Sequence, residues 1–164
     1  MSVTEITEAT QYLTFRLDEE IFALDVAKVR EILDFTDITR LPQTPDFMRG
    51  VINLRGNVVP VVDMRLKFGM SGTKKAVNTC IVVVDVSMDG ETTVLGALAD
   101  SVQEVIELEP DQIEPPPKIG RGLKTGFIRG MGKHAGRFIM ILDIDKVFLS
   151  DEITSVQDSY GHEN

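Results

Sequence analysis

The chain has 164 residues, 43% of them apolar and 26% charged, with 26 acidic against 17 basic side chains and a net charge of -9. That length can bury roughly 70% of the unfolded surface, and the acidic balance argues against a backbone-driven nucleic-acid binder, whose affinity comes from Lys and Arg neutralising phosphates. The start MSVTEITEATQ offers neither a secretion signal nor an anchor. No window approaches the roughly 20 apolar residues of a membrane helix, and the single Cys80 removes an internal disulfide and any multi-cysteine metal site, so a cytosolic location is the default.

In chain order, QYLTFRLDEEIFALDV alternates as two strands around a turn at Asp18, Glu19 and Glu20. Asp25 is placed to cap a short helical turn through Ala27, Lys28 and Val29, after which an extended pattern resumes at Ile32 and Leu33. LPQTP must be irregular, because each proline pushes its predecessor out of helical geometry. GVINLRGNVVPVVD reads as a hairpin bent at Arg55, Gly56 and Asn57. Pro60 cannot donate to a ladder, which places its strand at an edge or a bulge. Asp63 stops that strand and caps the short helix MRLKFG, ended by Gly69.

The polar stretch Ser71 to Val77 links this half to a second one. NTCIVVVDV and TTVLGALAD form its opening hairpin around Met88, Asp89 and Gly90. SVQEVIELE returns extended, and FIRGMG, RFIMILDI and a helix after Asp143 close it. Cys80 falls in an apolar run without the basic neighbours that lower a thiol pKa, so it reads as an inert core thiol. SDEITSVQDSYGHEN is an acidic tail.

The second half repeats the first. Shifted by 80 residues, Phe47 to Phe68 lies over Phe127 to Phe148 without a gap, and Phe47/Phe127, Arg49/Arg129, Gly50/Gly130, Gly56/Gly136, Asp63/Asp143 and Phe68/Phe148 are identical. Leu24 to Leu33 resembles Ala97 to Ile106 at a shift of 73. Two similar lobes explain this better than one irregular domain. Each lobe alone would be marginal. Many short strands with Gly and Pro turns point to barrels, here two of five strands each closed by one short helix.

Asn53-Leu54-Arg55-Gly56, followed by an apolar strand with Pro60 and Asp63, and flanked by QYLTFRLDEEIFALDVAKVREI, GALADSVQEV and GRFIMILDIDKV, resembles the CheW family of bacterial chemotaxis coupling proteins over roughly residues 10 to 150. The resemblance implies a mainly β fold: two pseudo-duplicated five-stranded SH3-like barrels with short helices. They form one unit over 10–150, with a chain crossover between lobes at about 12–70 and 78–150 and tails at 1–9 and 151–164. It implies a non-catalytic adaptor without cofactor, in the cytoplasm at receptor arrays on the inner face of the membrane. Such an adaptor couples the signalling tips of methyl-accepting chemotaxis proteins to the regulatory domain of the histidine kinase CheA. Other copies of the adaptor are further partners, nucleic acid is not one, and the membrane is reached only through receptors.

Residue by residue, a lone arginine on a hairpin bend is usually just solvated, but the family motif associates Arg55 with receptor contact, and an arginine fork on a stiff hairpin suits an acidic partner. Asn53 and Leu54 come with it, and Val29 and Glu31 are carried to the groove between the lobes by resemblance. Gly50, Gly56, Val102 and Ile128 are the kinase-side candidates. For the two glycines of the first lobe, backbone geometry is the stronger reading, so that their effect on binding is indirect. Asp25, Asp63, Asp100 and Asp143 stand where strands give way to turns, so capping explains them better than acid–base chemistry. His134 and His162 lack neighbours at ligand spacing, so no metal site is signalled. Gly120-Arg121-Gly122 and Gly130-Met131-Gly132 match no phosphate loop. The alternatives are a CheW-like paralogue serving another chemosensory array or, in another class, a small barrel enzyme or nucleic-acid binder. For the last, no Trp and two Tyr supply the stacking platform poorly.

Overall fold

The computed structural model describes residues 8–116 and 126–148. The strands are β1 (Thr10–Leu17), β2 (Glu20–Asp25), β3 (Val29–Asp34), β4 (Met48–Leu54), β5 (Asn57–Asp63), β6 (Cys80–Met88), β7 (Glu91–Ala99), β8 (Ser101–Leu108), β9 (Ile113–Glu114), β10 (Ile128–His134) and β11 (Arg137–Leu142). Two one-turn helices, α1 (Met64–Lys67) and α2 (Ile144–Val147), follow β5 and β11. Asp63 caps α1 by accepting from the Arg65 and Leu66 amides, and Asp143 caps α2 by accepting from the Lys146 amide. Asp25 accepts from the Ala27 amide at a 3-10 turn, as its place before a short helical turn predicts.

The strands form two sheets, ordered β8-β1-β2-β11-β10-β9 and β3-β6-β7-β5-β4. Each curls back on itself. β8 and β9 stand at opposite ends of the first sheet, yet only a 3-10 turn at Pro110–Gln112 separates them in sequence, so the two edges are held close. In the second sheet the chain leaving β3 reaches Thr39, which exchanges backbone hydrogen bonds of 2.9 and 2.8 Å with Val51 on the far edge strand β4.

The duplication is visible bond by bond. Both copies place a bulge in the hairpin, between Met48 and Gly50 and between Ile128 and Gly130. Both have an aspartate amide donating to a phenylalanine carbonyl at 2.7 Å, Asp63 to Phe47 and Asp143 to Phe127. Both turn through two left-handed residues, Arg55 and Gly56 (φ 51° and 85°) or Ala135 and Gly136 (φ 52° and 76°), which suits the twist of flanking strands.

The sequence halves are not the units of the sheets. Hairpin β1–β2 of the first half completes the sheet built from β8 to β11, through a parallel ladder that sets Ala23 against Ile141. Hairpin β6–β7 of the second half completes the sheet built from β3 to β5, with Gly96 against Val61. These ladders coincide under the shifts of 73 and 80 read from the sequence. The repeat therefore closes by exchanging opening hairpins within one chain, and six strands rather than five form the first sheet.

Pro60 differs from expectation in an informative way. Its strand β5 lies inside the sheet, between β7 and β4, but the ladder to β7 covers only Val61 to Asp63. Pro60 sits one residue before that ladder begins, where no β7 carbonyl awaits an N–H.

Three apolar clusters hold the fold. Tyr12, Ala23, Ile106, Leu108, Ile139 and Ile141 fill the first sheet, and Ile52, Val59, Val61, Ile81, Val83 and Leu98 fill the second. The largest cluster lies between sheets and takes Phe15, Phe22, Leu24, Met64, Val84 and Phe148 among others. This is why β6 reads as a continuous apolar run: Ile81 and Val83 face one core while Val82 and Val84 face the other. A stack of Phe15, Phe22, Phe68 and Phe127, with successive ring centroids 5.9, 5.5 and 5.0 Å apart, ties the exchanged hairpin to residues beside α1 and β10. The acidic tail and the Gly120-Arg121-Gly122 fragment lie outside the described residues.

Candidate functional site

Arg55 leaves the β4–β5 turn and crosses to Glu31 on β3, the edge strand of the same curled sheet. The contact is a two-pronged fork: Arg55 donates from both terminal nitrogens, at 2.7 and 2.8 Å, to the two carboxylate oxygens. Such a pair fixes direction as well as charge. Its basis is local. Asn53 Oδ1 accepts from the Gly56 amide at 2.8 Å and fastens the turn, which holds Arg55 in the left-handed region that a bulky residue otherwise avoids. The Arg55 hydrogen bonds, more than any other influence, hold the Glu31 carboxyl below the free-glutamate range, and Glu31 in turn raises the guanidinium. The arginine side chain remains 71% exposed and the glutamate 26%, so the fork is presented and not buried.

The pair forms one wall of an open groove of about 740 Å³, shared with Arg30, Leu54, Val58 and Val94. Arg30 is itself held by Asp85 on β6 at 2.6 Å. Val58 is an apolar side chain 51% open to water on this surface. The groove is thus a charged rim around an aliphatic floor, suited to a partner surface more than to a reacting small molecule. Among the described residues no group of three or more His, Cys, Asp or Glu could hold a metal ion. Burial, the largest influence, raises the thiol of Cys80.

Of the sequence candidates, Arg55, Glu31 and Leu54 meet in the groove and Asn53 supports the turn that makes it. Val29 does not face it, packing instead against the inter-sheet core. Gly56 is exposed at the turn tip, whereas Gly50 is buried. A Cβ on Gly50 would lie 2.0 Å from the Thr39 carbonyl oxygen, so this glycine exists to let the crossing chain approach. Val102 and Ile128 are half-buried in the other sheet, paired with Phe15 and Leu142, away from the fork. Sequence reading missed Arg30, Val58 and Val94. The last comes from the exchanged hairpin, and no local pattern announces that neighbour.

The surface is duplicated too. Exposed Val58 corresponds to exposed Phe138 and exposed Ile32 to exposed Val105, at shifts of 80 and 73. Glu31 corresponds to Glu104, but Ala135 stands where the first copy has Arg55, and among the described residues the Glu104 carboxylate meets only His134 Nε2, at 3.7 Å. One copy carries the rigid fork and the other a loose pair.

A CheW-like domain model matches residues 11–152. The chain belongs to the CheW family. It is 35% identical to the chemotaxis protein CheW of Klebsiella aerogenes over 92% of this chain and 88% of that one, and 33% identical to that of Thermotoga maritima over 88% and 89%. Among solved structures it is similar to the scaffolding protein TtCheW of Thermoanaerobacter tengcongensis, with a TM-score of 0.76 and 33% identity over 87% of this chain and 94% of that one. The mainly β architecture of two sheets is the CheW architecture, and the chain is a chemotaxis scaffold of that family. Among the described residues no helix is long and apolar enough to cross a membrane.

Proposed function

We propose that this CheW-family scaffold is a cytoplasmic, non-catalytic adaptor that couples the signalling tips of methyl-accepting chemoreceptors to the histidine kinase CheA beneath receptor arrays. The observation that carries the reading is the Arg55–Glu31 fork, set at the rim of a half-apolar groove and held by a stiff turn. A receptor tip is the proposed occupant of that rim, with Leu54, Val58 and Asn53 behind the fork and Val29 acting through the packing below it. Kinase contact is assigned to surfaces shaped by Gly50 and Gly56 in one sheet and by Val102 and Ile128 in the other, the glycines through backbone position.

Co-sedimentation of the protein with receptor signalling fragments and CheA tests this. The expected result is a ternary pellet with raised kinase activity, and absence of binding to either partner at tens of micromolar would refute the assignment.

A further inference from the structure

Two polar latches stand where each exchanged hairpin leaves its host sheet. The second half's hairpin exits β7 at Asp100, whose carboxylate accepts from Arg65 on the first half's α1 at 3.0 Å. The first half's hairpin exits β2 at Lys28, which donates to Asp145 on the second half's α2 at 3.2 and 3.0 Å. Arg65 and Asp145 are the same position under the shift of 80. In both latches the carboxylate also accepts a backbone amide at or beside a hairpin turn, Asp18 N–H at 2.6 Å for Asp100 and Ser87 N–H at 2.8 Å for Asp145. Under the shift of 73 Lys28 falls on Ser101, one residue past Asp100, so the latches occupy neighbouring positions at the same hairpin exit and their charges are reversed.

That reversal matters because a duplicated chain has a wrong way to fold. Each hairpin could close on its own half, within the chain or on a second copy of it, since the two host sheets offer similar ladders. Lys28 would then meet Arg65, and Asp100 would meet Asp145: both mismatched. We infer that the inverted latches are a pairing code that sends each opening hairpin to the other half and disfavours self-closed and interchain-exchanged forms. A like-charge encounter weighs most at the Arg65–Asp100 latch, where both side chains are only 16% exposed, because desolvated charges are screened least.

The code can be erased without losing a native ion pair. Reversing one latch alone, as Lys28→Asp with Asp145→Lys, keeps both native pairs matched but makes both wrong pairings matched as well. Arg65→Asp with Asp100→Arg does the same at the other latch, and reversing both latches together restores the code. The full chains are refolded from denaturant at high concentration, then followed by amide NMR and by size-exclusion chromatography with light scattering.

The expected result is one set of cross-peaks and a monomer for the original chain and the fourfold variant. Each double variant should show a second set of β2 and β11 amides, or a dimer comparable in amount with the monomer. Double variants that refold as cleanly as the original would overturn the inference. So would a fourfold variant as heterogeneous as the doubles, since the cause would then be the lost carboxylate–amide bonds and not the charge code. The Lys28–Asp145 latch, with side chains 35% and 28% exposed, tolerates substitution best and keeps the test decisive.

Discussion

The hairpin–helix units β4–β5–α1 and β10–β11–α2 share a bulge, a turn and an aspartate cap, and still do different work. In the first, Asp63 is fully buried and accepts from Thr73 N–H (2.9 Å), Thr73 Oγ1 (2.8 Å), Arg49 (3.1 Å), Arg65 N–H (3.0 Å) and Leu66 N–H (3.4 Å). It fastens the interlobe link to the hairpin. In the second, Asp143 is half-buried and, among the described residues, its side chain accepts only a 3.4 Å contact from the Lys146 amide. The same residue in the same fold is a junction in one copy and a plain cap in the other, which shows that a repeated motif fixes geometry while its neighbours decide how much depends on it.

The sharpest way to break that comparison is to remove both carboxylates. Asp63→Ala leaves the two buried Thr73 donors unpaired and the partly exposed Arg49 without its carboxylate, which should cost about 3 kcal/mol. Asp143→Ala should cost about 1 kcal/mol, the usual worth of a cap. Urea unfolding monitored by circular dichroism measures both, and equal losses would refute the distinction. The bulge glycines come next. Gly50 has φ +143° and no room beside Thr39, whereas Gly130 has an ordinary φ and a Cβ there would lie 2.6 Å from the Ile113 side chain and 2.9 Å from the Glu114 carbonyl. Gly50→Ala is therefore expected to cost about 3 kcal/mol or more, combining strain with a backbone clash, and Gly130→Ala about 1 to 2.

A smaller effect of opposite sign separates the two sheet interiors. The second sheet's cluster is wholly apolar, but the first contains Tyr12, whose hydroxyl is buried with no hydrogen-bond partner. Burial, the largest influence, raises the pKa of this hydroxyl, and the Thr10 side chain opposes it. Tyr12→Phe removes an unsatisfied buried group and should stabilise the protein by about 1 kcal/mol. A destabilised variant would mean that the hydroxyl has a partner in solution.

Much of this was legible in the residues. The shift of 80 anticipated the paired turns and caps, because those depend on local chemistry: a left-handed glycine, a capping aspartate, an alternating strand. What stayed hidden is non-local. Nothing in TTVLGALAD says that Gly96 will lie beside Val61 of the other half, and so nothing announced that Val94 would line the groove or that Pro60 would sit inside a sheet. Val29 and Glu31 looked alike as alternating neighbours of one strand, yet one faces the core and the other the fork. Arg55 was found by motif, but its partner was visible only after the curled sheet brought β3 to the β4–β5 turn.

The fork itself gives the mildest effect on folding and the clearest on contact. Arg55→Glu replaces an exposed side chain, so the thermal midpoint should hold while co-sedimentation with receptor fragments falls, and a collapse of stability would make Arg55 structural instead. The sign of the pH effect follows from Glu31, whose folded pKa lies below the 4.5 of a free glutamate, chiefly through the Arg55 hydrogen bonds. A carboxylate depressed on folding stabilises the protein above its unfolded pKa and loses that contribution as pH falls through the folded value, so the fork is intact at neutral pH and opens only in acid. In Arg55→Ala the Glu31 carboxyl should titrate at higher pH than in the original chain, by side-chain NMR. Adding the missing arm, Ala135→Arg, sharpens the contrast: the left-handed φ of 52° at Ala135 matches that of Arg55, so a second fork to Glu104 should form and show as slowed exchange of the added guanidinium protons by NMR. Guanidinium protons that exchange as freely as in solvent would show that the turn alone does not aim the arginine and that β3 contributes more than its carboxylate.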